Sequence, residues 1–564
     1  MGLYLAACGA EIKPVQCAAP MALGPADRSS RLDALVSTDH HMLVVGGGIT
    51  GAGVARDAAM RGFKVACVEQ VDFGYGTSSR SSKLIHGGLR YLEQMNLRLV
   101  FEGTHERATV RAIAPHLVQP IPFLVPVFEE SKHSVRKLGV GLWMYDALAG
   151  KRRHGKHTRH DAETLMGLEP TLRKNGLRGG AIYFDCMTDD ARLVLENVLS
   201  AHAQGATMLN QVSFVRPIRD DAGHITGAVL RDHPTGRTLE ARCRVLIQCA
   251  GPWTDDVLKR CAKDMPSMIR TTKGVHVVFP HAKLPVRHAV VMSAVRDHRV
   301  IFAIPRGRVT LVGTTDTDYG GDPDDVHATR DDVEYLVETV ARYFPEHAPP
   351  ASAIVATYAG LRPLVRDDAS SPYDVSREHT VVARADGTVT IGGGKLTTYR
   401  RMASDVVVAA MKVMGLTRKH RPKCPTRTAS LPGADGFDVE ADAPKAIDAL
   451  VQRGVAKDVA THLVSVYGIR HTGLDGDVET RLVPGLPFVL GEVDHAVTHE
   501  GALTPEDVLV RRLPVFYEAP DQGLECLEAV CDRMAGLLGW SPEARLDHVV
   551  SYRATVERSR RWRA

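Results

Sequence analysis

The sequence lacks any apolar run approaching the roughly 18 residues that a membrane-spanning helix requires. We therefore expect no membrane-spanning helix. Its charges nearly cancel, because 70 basic side chains oppose 66 acidic ones and leave a formal net charge of only +4. Nucleic-acid-binding proteins normally carry a clear basic excess, so the composition does not predict nucleic acid as a partner.

Closely spaced cysteines are also missing. Ten cysteines are spread over 564 residues without a CxxC pair or a nearby cluster of cysteine and histidine, which argues against a disulfide scaffold and predicts no metal site. Residues 5–8, Leu-Ala-Ala-Cys, resemble a lipoprotein cleavage box, but no basic segment and no adequate apolar segment precede them. We expect reduced thiols in the cytoplasm and a loosely ordered N-terminal extension over residues 1–38.

What the sequence does contain is typical of a large globular protein, with 44% apolar and 24% charged residues. A chain of this length exceeds the size of one hydrophobic core, so we expect several structural units. The sequence pattern becomes predominantly helical after about residue 428, with helices predicted at 445–451, 457–467 and 522–538. We place a C-terminal all-α domain at 429–564.

A nucleotide-binding pattern opens the ordered part of the chain. An apolar run at 41–45 ends in Gly46, Gly48 and Gly51, an alanine-rich helical segment follows, and a second apolar run ends at Glu69. The three glycines form a GxGxxG turn that admits a pyrophosphate at a helix N-terminus, and an acidic residue about 20 positions later accepts a ribose hydroxyl. This pattern predicts a βαβ unit that binds a dinucleotide.

The surrounding sequence favours FAD over a nicotinamide cofactor. No second fingerprint of this kind is present, and residues 77–91 are rich in serine and glycine, which allow a backbone to lie against a flat ring. Strand patterns between residues 205 and 314 complete an α/β fold. We predict a Rossmann-like FAD-binding domain interleaved, over residues 39–428, with a mostly antiparallel β substrate domain.

Three separated segments carry a resemblance to a known family. They are residues 77–93, which include Ser-Lys-Leu-Ile-His-Gly-Gly-Leu-Arg-Tyr, residues 358–364, Tyr-Ala-Gly-Leu-Arg-Pro-Leu, and residues 392–400, Gly-Gly-Gly-Lys-Leu-Thr-Thr-Tyr-Arg. The chain resembles the FAD-dependent glycerol-3-phosphate dehydrogenases of the aerobic, quinone-linked type, a branch of the glycine-oxidase-like flavoproteins. It departs from the family pattern in the length of its N-terminal extension and in Cys249, where alanine or threonine is more usual.

The resemblance implies an activity and its partners. The expected reaction is oxidation of sn-glycerol 3-phosphate to dihydroxyacetone phosphate, with hydride transfer from C2 to flavin N5, electron transfer to a quinone and a place in glycerol catabolism. A quinone lies in lipid, so peripheral association with the inner face of the cytoplasmic membrane is expected. Residues 136–153 combine apolar and aromatic residues with basic ends, which is typical of an interfacial segment, and a basic tail follows at 558–563. The oligomeric state is left open, and a homodimer is one possibility.

Candidate site residues follow from the chemistry and the resemblance together. Arg90, Arg362 and Lys395 are candidates for the phosphate, although Lys395 could instead stabilise the reduced flavin. The hydroxyl proton needs a base, for which we choose His86, four residues before Arg90 and on the same face if that segment is helical; His276 is the rival. The flavin contacts implied are Gly46, Gly47, Gly48, Ile49, Thr50, Gly51, Glu69, Ser78, Ser79, Val212, Gly394, Lys395, Leu396 and Thr397.

Alternatives remain open at this point. An oxidase of the same substrate would share the flavin-binding motifs, because reactivity with oxygen depends on access and local charge. A flavin-binding redox sensor or scaffold without turnover would need no phosphate-binding cations. A nicotinamide enzyme is a third reading.

Overall fold

The computed structural model describes residues 22–92, 95–262, 264–366, 378–474 and 476–564. Its strands are β1 (Asp39–Val45), β2 (Val65–Val68), β3 (Leu84–Ile85), β4 (Gln119–Phe128), β5 (Thr158–His160), β6 (Leu177–Met187), β7 (Thr207–Leu209), β8 (Val212–Arg219), β9 (Ile225–Asp232), β10 (Thr238–Gln248), β11 (Ile269–Pro280), β12 (Ala289–Ser293), β13 (Val300–Arg306), β14 (Val309–Gly313), β15 (Thr317–Asp318), β16 (Ala356–Val365), β17 (His379–Ala383) and β18 (Thr388–Gly393). Its helices are α1 (Arg28–Ser37), α2 (Ile49–Met60), α3 (Leu97–Ile113), α4 (Val135–Ala149), α5 (Ala162–Leu168), α6 (Asp190–Ala203), α7 (Thr254–Cys261), α8 (Arg330–Tyr343), α9 (Tyr399–Val413), α10 (Val439–Gln452), α11 (Lys457–Tyr467), α12 (Leu490–Thr498), α13 (Val515–Glu518), α14 (Leu527–Leu538) and α15 (Pro542–Arg560).

The first sheet carries the predicted βαβ unit, formed by β1, α2 and β2. Its strands run in the order β17-β18-β10-β1-β2-β7, with β9 and β8 continuing from β10, and β1 pairs in parallel with both β2 and β10. Alternate residues of β1 face opposite sides of the sheet, as the period of two requires. Met42 and Val44 pack against α2, α6 and α9, whereas Leu43 and Val45 pack on the other side.

The N-terminal extension is more ordered than expected over its described part, residues 22–38. Helix α1 lies on the sheet face opposite α2, where Leu32 and Leu35 are buried. Arg28 forms an ion pair of 2.7 Å with buried Asp232. These contacts fix residues 28–37, so the expectation of loose order is wrong there; residues 1–21 lie outside the described residues.

The second sheet is mostly antiparallel, as predicted for a substrate domain. Its order is β15-β11-β14-β13-β12-β4-β6-β3, with β16 paired to β11 and β5 paired to β6. Only the β4–β12 pair is parallel among the strand pairs that the structure describes in this sheet. Strand β3 brings the chain from the first sheet into the second, which places the residues after it between the two.

The C-terminal region is helical and packs against the second sheet through Leu509, Val515 and Leu527. Helix α11 coincides with the predicted segment 457–467. Helix α10 begins before the predicted start, because Asp438 accepts hydrogen bonds from the first backbone N–H groups and leaves Pro444 inside the helix. The boundary at residue 428 stays a prediction. Among the described residues, no helix combines the length and apolar character needed to cross a bilayer.

Candidate active site

The GxGxxG turn has the close packing that its glycines predict. Gly46 adopts a φ of +104°, and a Cβ atom at Gly51 would lie 1.8 Å from the carbonyl oxygen of Gly46. Helix α2 begins at Ile49, whose N–H donates to the Ser78 hydroxyl over 2.9 Å. The turn therefore presents backbone at a helix N-terminus, next to the start of the first family-like segment.

Glu69 lies directly after β2, in the wall of a cavity that the glycine turn also lines. Its carboxylate accepts hydrogen bonds from Gly47 N–H over 2.7 Å and from Val71 N–H over 3.0 Å. Burial raises the pKa of Glu69 to about 7, against these two hydrogen bonds, which lower it. A desolvated carboxylate in this position is suited to accept a ribose hydroxyl.

The cavity between β1, β2, β18 and the 249–253 segment is where the predicted dinucleotide residues meet. Its wall includes the following predicted residues: Gly46, Gly48, Ile49, Thr50, Glu69, Ser78, Val212, Gly394, Lys395 and Leu396. Gly47, Gly51, Ser79 and Thr397 are not part of this wall, and their contacts with FAD stay predictions. The space opposite the glycine turn and the buried Glu69 fit the pyrophosphate and ribose of FAD.

The three family-like segments converge beside this cavity. Thr77 donates to the carbonyl of Leu361 over 2.5 Å, and Tyr358 donates to the carbonyl of Ser81 over 3.0 Å, which joins the first segment to the second. Thr397 bonds to the backbone of His86, which joins the first segment to the third. Contacts between residues hundreds of positions apart thus assemble one site.

Arg362 lies on β16, where it pairs in register with Thr272 of β11. Its guanidinium forms a 2.9 Å ion pair with Asp316 and donates to the Thr314 hydroxyl over 3.1 Å. A Cβ atom at Gly274 would lie 2.6 Å from this guanidinium, so glycine makes room for it. Asp316 therefore orients Arg362 and balances part of its charge.

Lys395 lies in the cavity wall, with its Nζ 3.7 Å from the centre of the Tyr91 ring. Such a cation–π contact holds the ammonium group without neutralising it. Arg90 belongs to the 3₁₀ turn Leu89–Leu92, and its side chain lies outside the described residues.

His86 is half-buried and follows β3 directly. The condition for a face shared by His86 and Arg90 is not met, because Gly88 adopts a φ of +83° and the 3₁₀ turn begins only at Leu89. His86 is instead held in an irregular segment between the two sheets.

His276 lies on β11 and is buried. Its Nε2 is 2.9 Å from the Ser82 hydroxyl, and its ring stacks on Tyr358 with centroids 4.7 Å apart. Burial, with added repulsion from Arg362 and Lys83, lowers the pKa of His276 to about 3. A histidine with this pKa is a weak proton acceptor at neutral pH.

Comparison with known proteins agrees with this geometry. The family model described as FAD dependent oxidoreductase matches residues 41–400, and the model described as C-terminal domain of alpha-glycerophosphate oxidase matches residues 424–545. Aerobic glycerol-3-phosphate dehydrogenase from Staphylococcus haemolyticus is 34% identical over 96% of this chain and 98% of its own length. The protein of that name from Staphylococcus aureus strain USA300 is 35% identical over 93% and 95%.

The chain belongs to the aerobic glycerol-3-phosphate dehydrogenase family. As a member of the FAD-dependent oxidoreductases, it is a flavoprotein with FAD as its cofactor. Glycerol-3-phosphate dehydrogenase from Bacillus halodurans, solved with FAD, superposes with a TM-score of 0.80 at 29% identity over 96% of this chain and 98% of that one. Glycine oxidase from Geobacillus kaustophilus, at 17% identity, covers 70% of this chain and 98% of its own, with a TM-score of 0.51, and shares the fold.

Sequence reasoning missed several residues of this dehydrogenase-family site. Ser82 and Tyr358 contact His276 and lie within the family-like segments, so their positions could have been proposed. Arg260 lines the FAD cavity and donates to the carbonyl of Phe214 over 2.7 Å, but nothing local in the sequence marks it.

Replacing Glu69 by glutamine is expected to weaken FAD binding by about 10- to 100-fold, because a charged hydrogen-bond acceptor for ribose becomes neutral. Fluorescence titration of the apoprotein with FAD measures the change. The matched control is Glu240→Gln, at an exposed position on β10 of the same sheet. Equal affinities of wild type and Glu69→Gln would contradict the ribose-binding role.

Proposed function

We propose that this protein oxidises sn-glycerol 3-phosphate to dihydroxyacetone phosphate with FAD and passes the electrons to a quinone in glycerol catabolism. The observation that carries the proposal is that the segments holding His86, Arg362 and Lys395 are joined to one another beside the FAD cavity. Thr397 bonds to the backbone of His86, Thr77 bonds to the carbonyl of Leu361, and Lys395 lies in the cavity wall. The names of the relatives that match nearly the whole chain support the substrate.

The phosphate is held by cations in this proposal. Arg362 presents a guanidinium oriented by Asp316, and Lys395 presents an ammonium held against Tyr91. Arg90 follows His86 by four residues and completes the set. Guanidinium groups suit a phosphate because their planar fork binds two oxygens at once.

His86 takes the proton from the C2 hydroxyl. A neutral imidazole can accept a proton, which makes histidine a common general base in enzymes. His276 is less suited because burial lowers its pKa to about 3, and we propose that it orients Ser82 and Tyr358 instead. The bound FAD supplies the acceptor for the hydride that leaves C2.

An exposed apolar surface supports association with a membrane. Helix α4 exposes Val140 and Trp143, with 61% and 64% of their surfaces accessible, and neighbouring α3 exposes Phe101. Arg136 of α4 and Arg159 of β5 line a recess at the N-terminal end of α4, together with Asp161 and Arg178. An apolar helix face with a basic rim is typical of a peripheral membrane contact.

The basic tail contributes less to such a contact than its sequence indicates. Arg561 forms a 2.8 Å ion pair with Asp325, Arg560 bonds to Gln522, and Arg563 donates to the carbonyl of Ile354. Because these arginines bind the protein itself, we assign the membrane contact to α4.

Replacing Trp143 by serine is expected to reduce binding to anionic vesicles at least about tenfold, since a large apolar side chain no longer enters the lipid interface. Co-sedimentation with vesicles containing phosphatidylglycerol measures this. Leu546→Ser is the control, because Leu546 is similarly exposed, at 58%, on the distant helix α15. Equal losses in the two variants would argue against a specific role of α4.

An oxidase is the second candidate, because residues 424–545 match the family described as C-terminal domain of alpha-glycerophosphate oxidase. Anaerobic mixing of the purified flavoprotein with sn-glycerol 3-phosphate tests the substrate by loss of flavin absorbance. Adding a short-chain quinone or oxygen then distinguishes the acceptors. Fast reoxidation by oxygen would replace the quinone proposal with the oxidase, and no bleaching of FAD-replete protein would overturn the substrate.

A further inference from the structure

The backbone at His86 is held from two sides. On one side, the Thr397 hydroxyl accepts from the His86 N–H over 3.0 Å and donates to the His86 carbonyl over 3.1 Å. A single hydroxyl thus binds both backbone polar groups of His86, and it comes from the segment next to Lys395 in the FAD cavity wall.

On the other side, a buried group of three side chains binds the next N–H. Gly87 N–H donates to the Tyr145 hydroxyl over 3.0 Å and to Asp185 Oδ1 over 3.2 Å. Tyr145 donates to Asp185 over 2.7 Å, and Arg107 forms an ion pair with the same carboxylate. We call Arg107, Tyr145 and Asp185 the buried triad.

The buried triad holds the Gly87 backbone in one position. All three side chains are about 1% exposed, and a Cβ atom at Gly87 would lie 2.4 Å from the Tyr145 hydroxyl and 2.6 Å from Thr104. Strand β3 ends one residue before His86 and pairs with β6, the strand that ends two residues after Asp185. The triad and the strand pairing therefore fix the position of the same backbone.

A buried ion pair is not the most stabilising way to fill such a space, because both charges lose their hydration, and well-packed apolar residues often do as well. Its advantage here is directional, since a carboxylate held by Arg107 and Tyr145 fixes the Gly87 N–H in one orientation. That orientation sets the backbone from which the His86 imidazole projects.

We propose that Asp185, Tyr145 and Arg107, together with Thr397, are positioning residues that aim the His86 imidazole at the substrate. The inference rests on the proposed function, in which His86 is the base. None of the four is assigned contact with the reacting atoms in this proposal, and each acts on His86 through its backbone.

Tyr145→Phe tests the proposal, because it removes one hydroxyl and leaves the Arg107–Asp185 ion pair. We expect the limiting rate of flavin reduction to fall about tenfold, while the glycerol 3-phosphate concentration for half-maximal rate changes less than about twofold. Tyr183→Phe is the matched control. Tyr183 lies on β6 and is buried against the ring of Tyr145, but its hydroxyl bonds to no member of the buried triad. A Tyr145→Phe rate equal to that of wild type would overturn the proposal.

A double-mutant comparison separates positioning from general loss of structure. In a His86→Ala background, adding Tyr145→Phe should leave the rate unchanged within about twofold, since the base that it positions is gone. An equal tenfold loss in both backgrounds would contradict action through His86. If Tyr145→Phe does not fold, Thr397→Val with Thr397→Ser as the rescuing variant gives the same comparison. Failure of wild type to reduce its flavin would overturn the proposed function itself, which is a different result.

Discussion

Replacing His86 by alanine is expected to slow flavin reduction by sn-glycerol 3-phosphate about 10²- to 10⁴-fold, the usual contribution of a general base. FAD content should not change, because His86 does not contribute to the described wall of the FAD cavity. Stopped-flow absorbance under anaerobic conditions measures the limiting rate. Any dependence of the wild-type rate on pH that comes from His86 should disappear in the variant.

His276→Ala is the matched comparison for this variant. A weakly basic, buried histidine that bonds to Ser82 contributes through packing, so we expect a smaller loss of rate and an unchanged pH profile. A larger loss at His276 than at His86 would reverse the assignment of the base. Near-normal rates and profiles in both variants would exclude a histidine base altogether.

The sequence was sufficient for the parts of the fold that local patterns determine. The apolar run at 41–45, the glycine turn and Glu69 predicted β1, α2 and β2, because each feature depends on near neighbours in the chain. Helix α1 was missed because its segment is short and buries only two leucines, Leu32 and Leu35. Only the sheet against which they pack shows that the segment is ordered.

The candidate site also has residues that the sequence predicted and residues that only the fold brings together. Motif resemblance singled out His86, Arg362 and Lys395, but not the residues that orient them. The Asp316–Arg362 ion pair, the Thr397–His86 bonds and the buried triad all join residues far apart in sequence. Their geometry depends on strand order and register, which no local pattern determines.

Loss of the buried charge of Glu500 is expected to weaken the contact between the C-terminal domain and helix α6. Glu500 accepts from Arg192 of α6 over 2.6 and 2.7 Å and from Arg470 over 2.9 Å, and Arg470 also binds Glu196 of α6. Both glutamates are fully buried, so the two arginines depend on them for compensation. Glu500→Gln should therefore lower the free energy of unfolding by about 3–5 kcal/mol, the range for breaking a buried ion pair.

The pH dependence of this loss gives a second check on the same variant. Burial alone would raise the pKa of Glu500, but Arg192 and Arg470 outweigh it and hold that pKa well below 4.5. A depressed folded pKa gives stability that is complete above the unfolded value and lost as pH falls through the folded one. The difference between wild type and Glu500→Gln in urea unfolding should therefore be largest near neutral pH and shrink below about pH 4.5.

The control is Asp331→Asn, which removes an exposed partner of Arg296 and should cost only about 0–1 kcal/mol. Limited proteolysis between α9 and α10 should be faster in Glu500→Gln than in the control, because the network joins α6 to the residues around α12. Equal unfolding and equal cleavage in the two variants would mean that apolar packing alone holds the C-terminal domain in place. The buried charges would then serve only to select the relative orientation of the two parts.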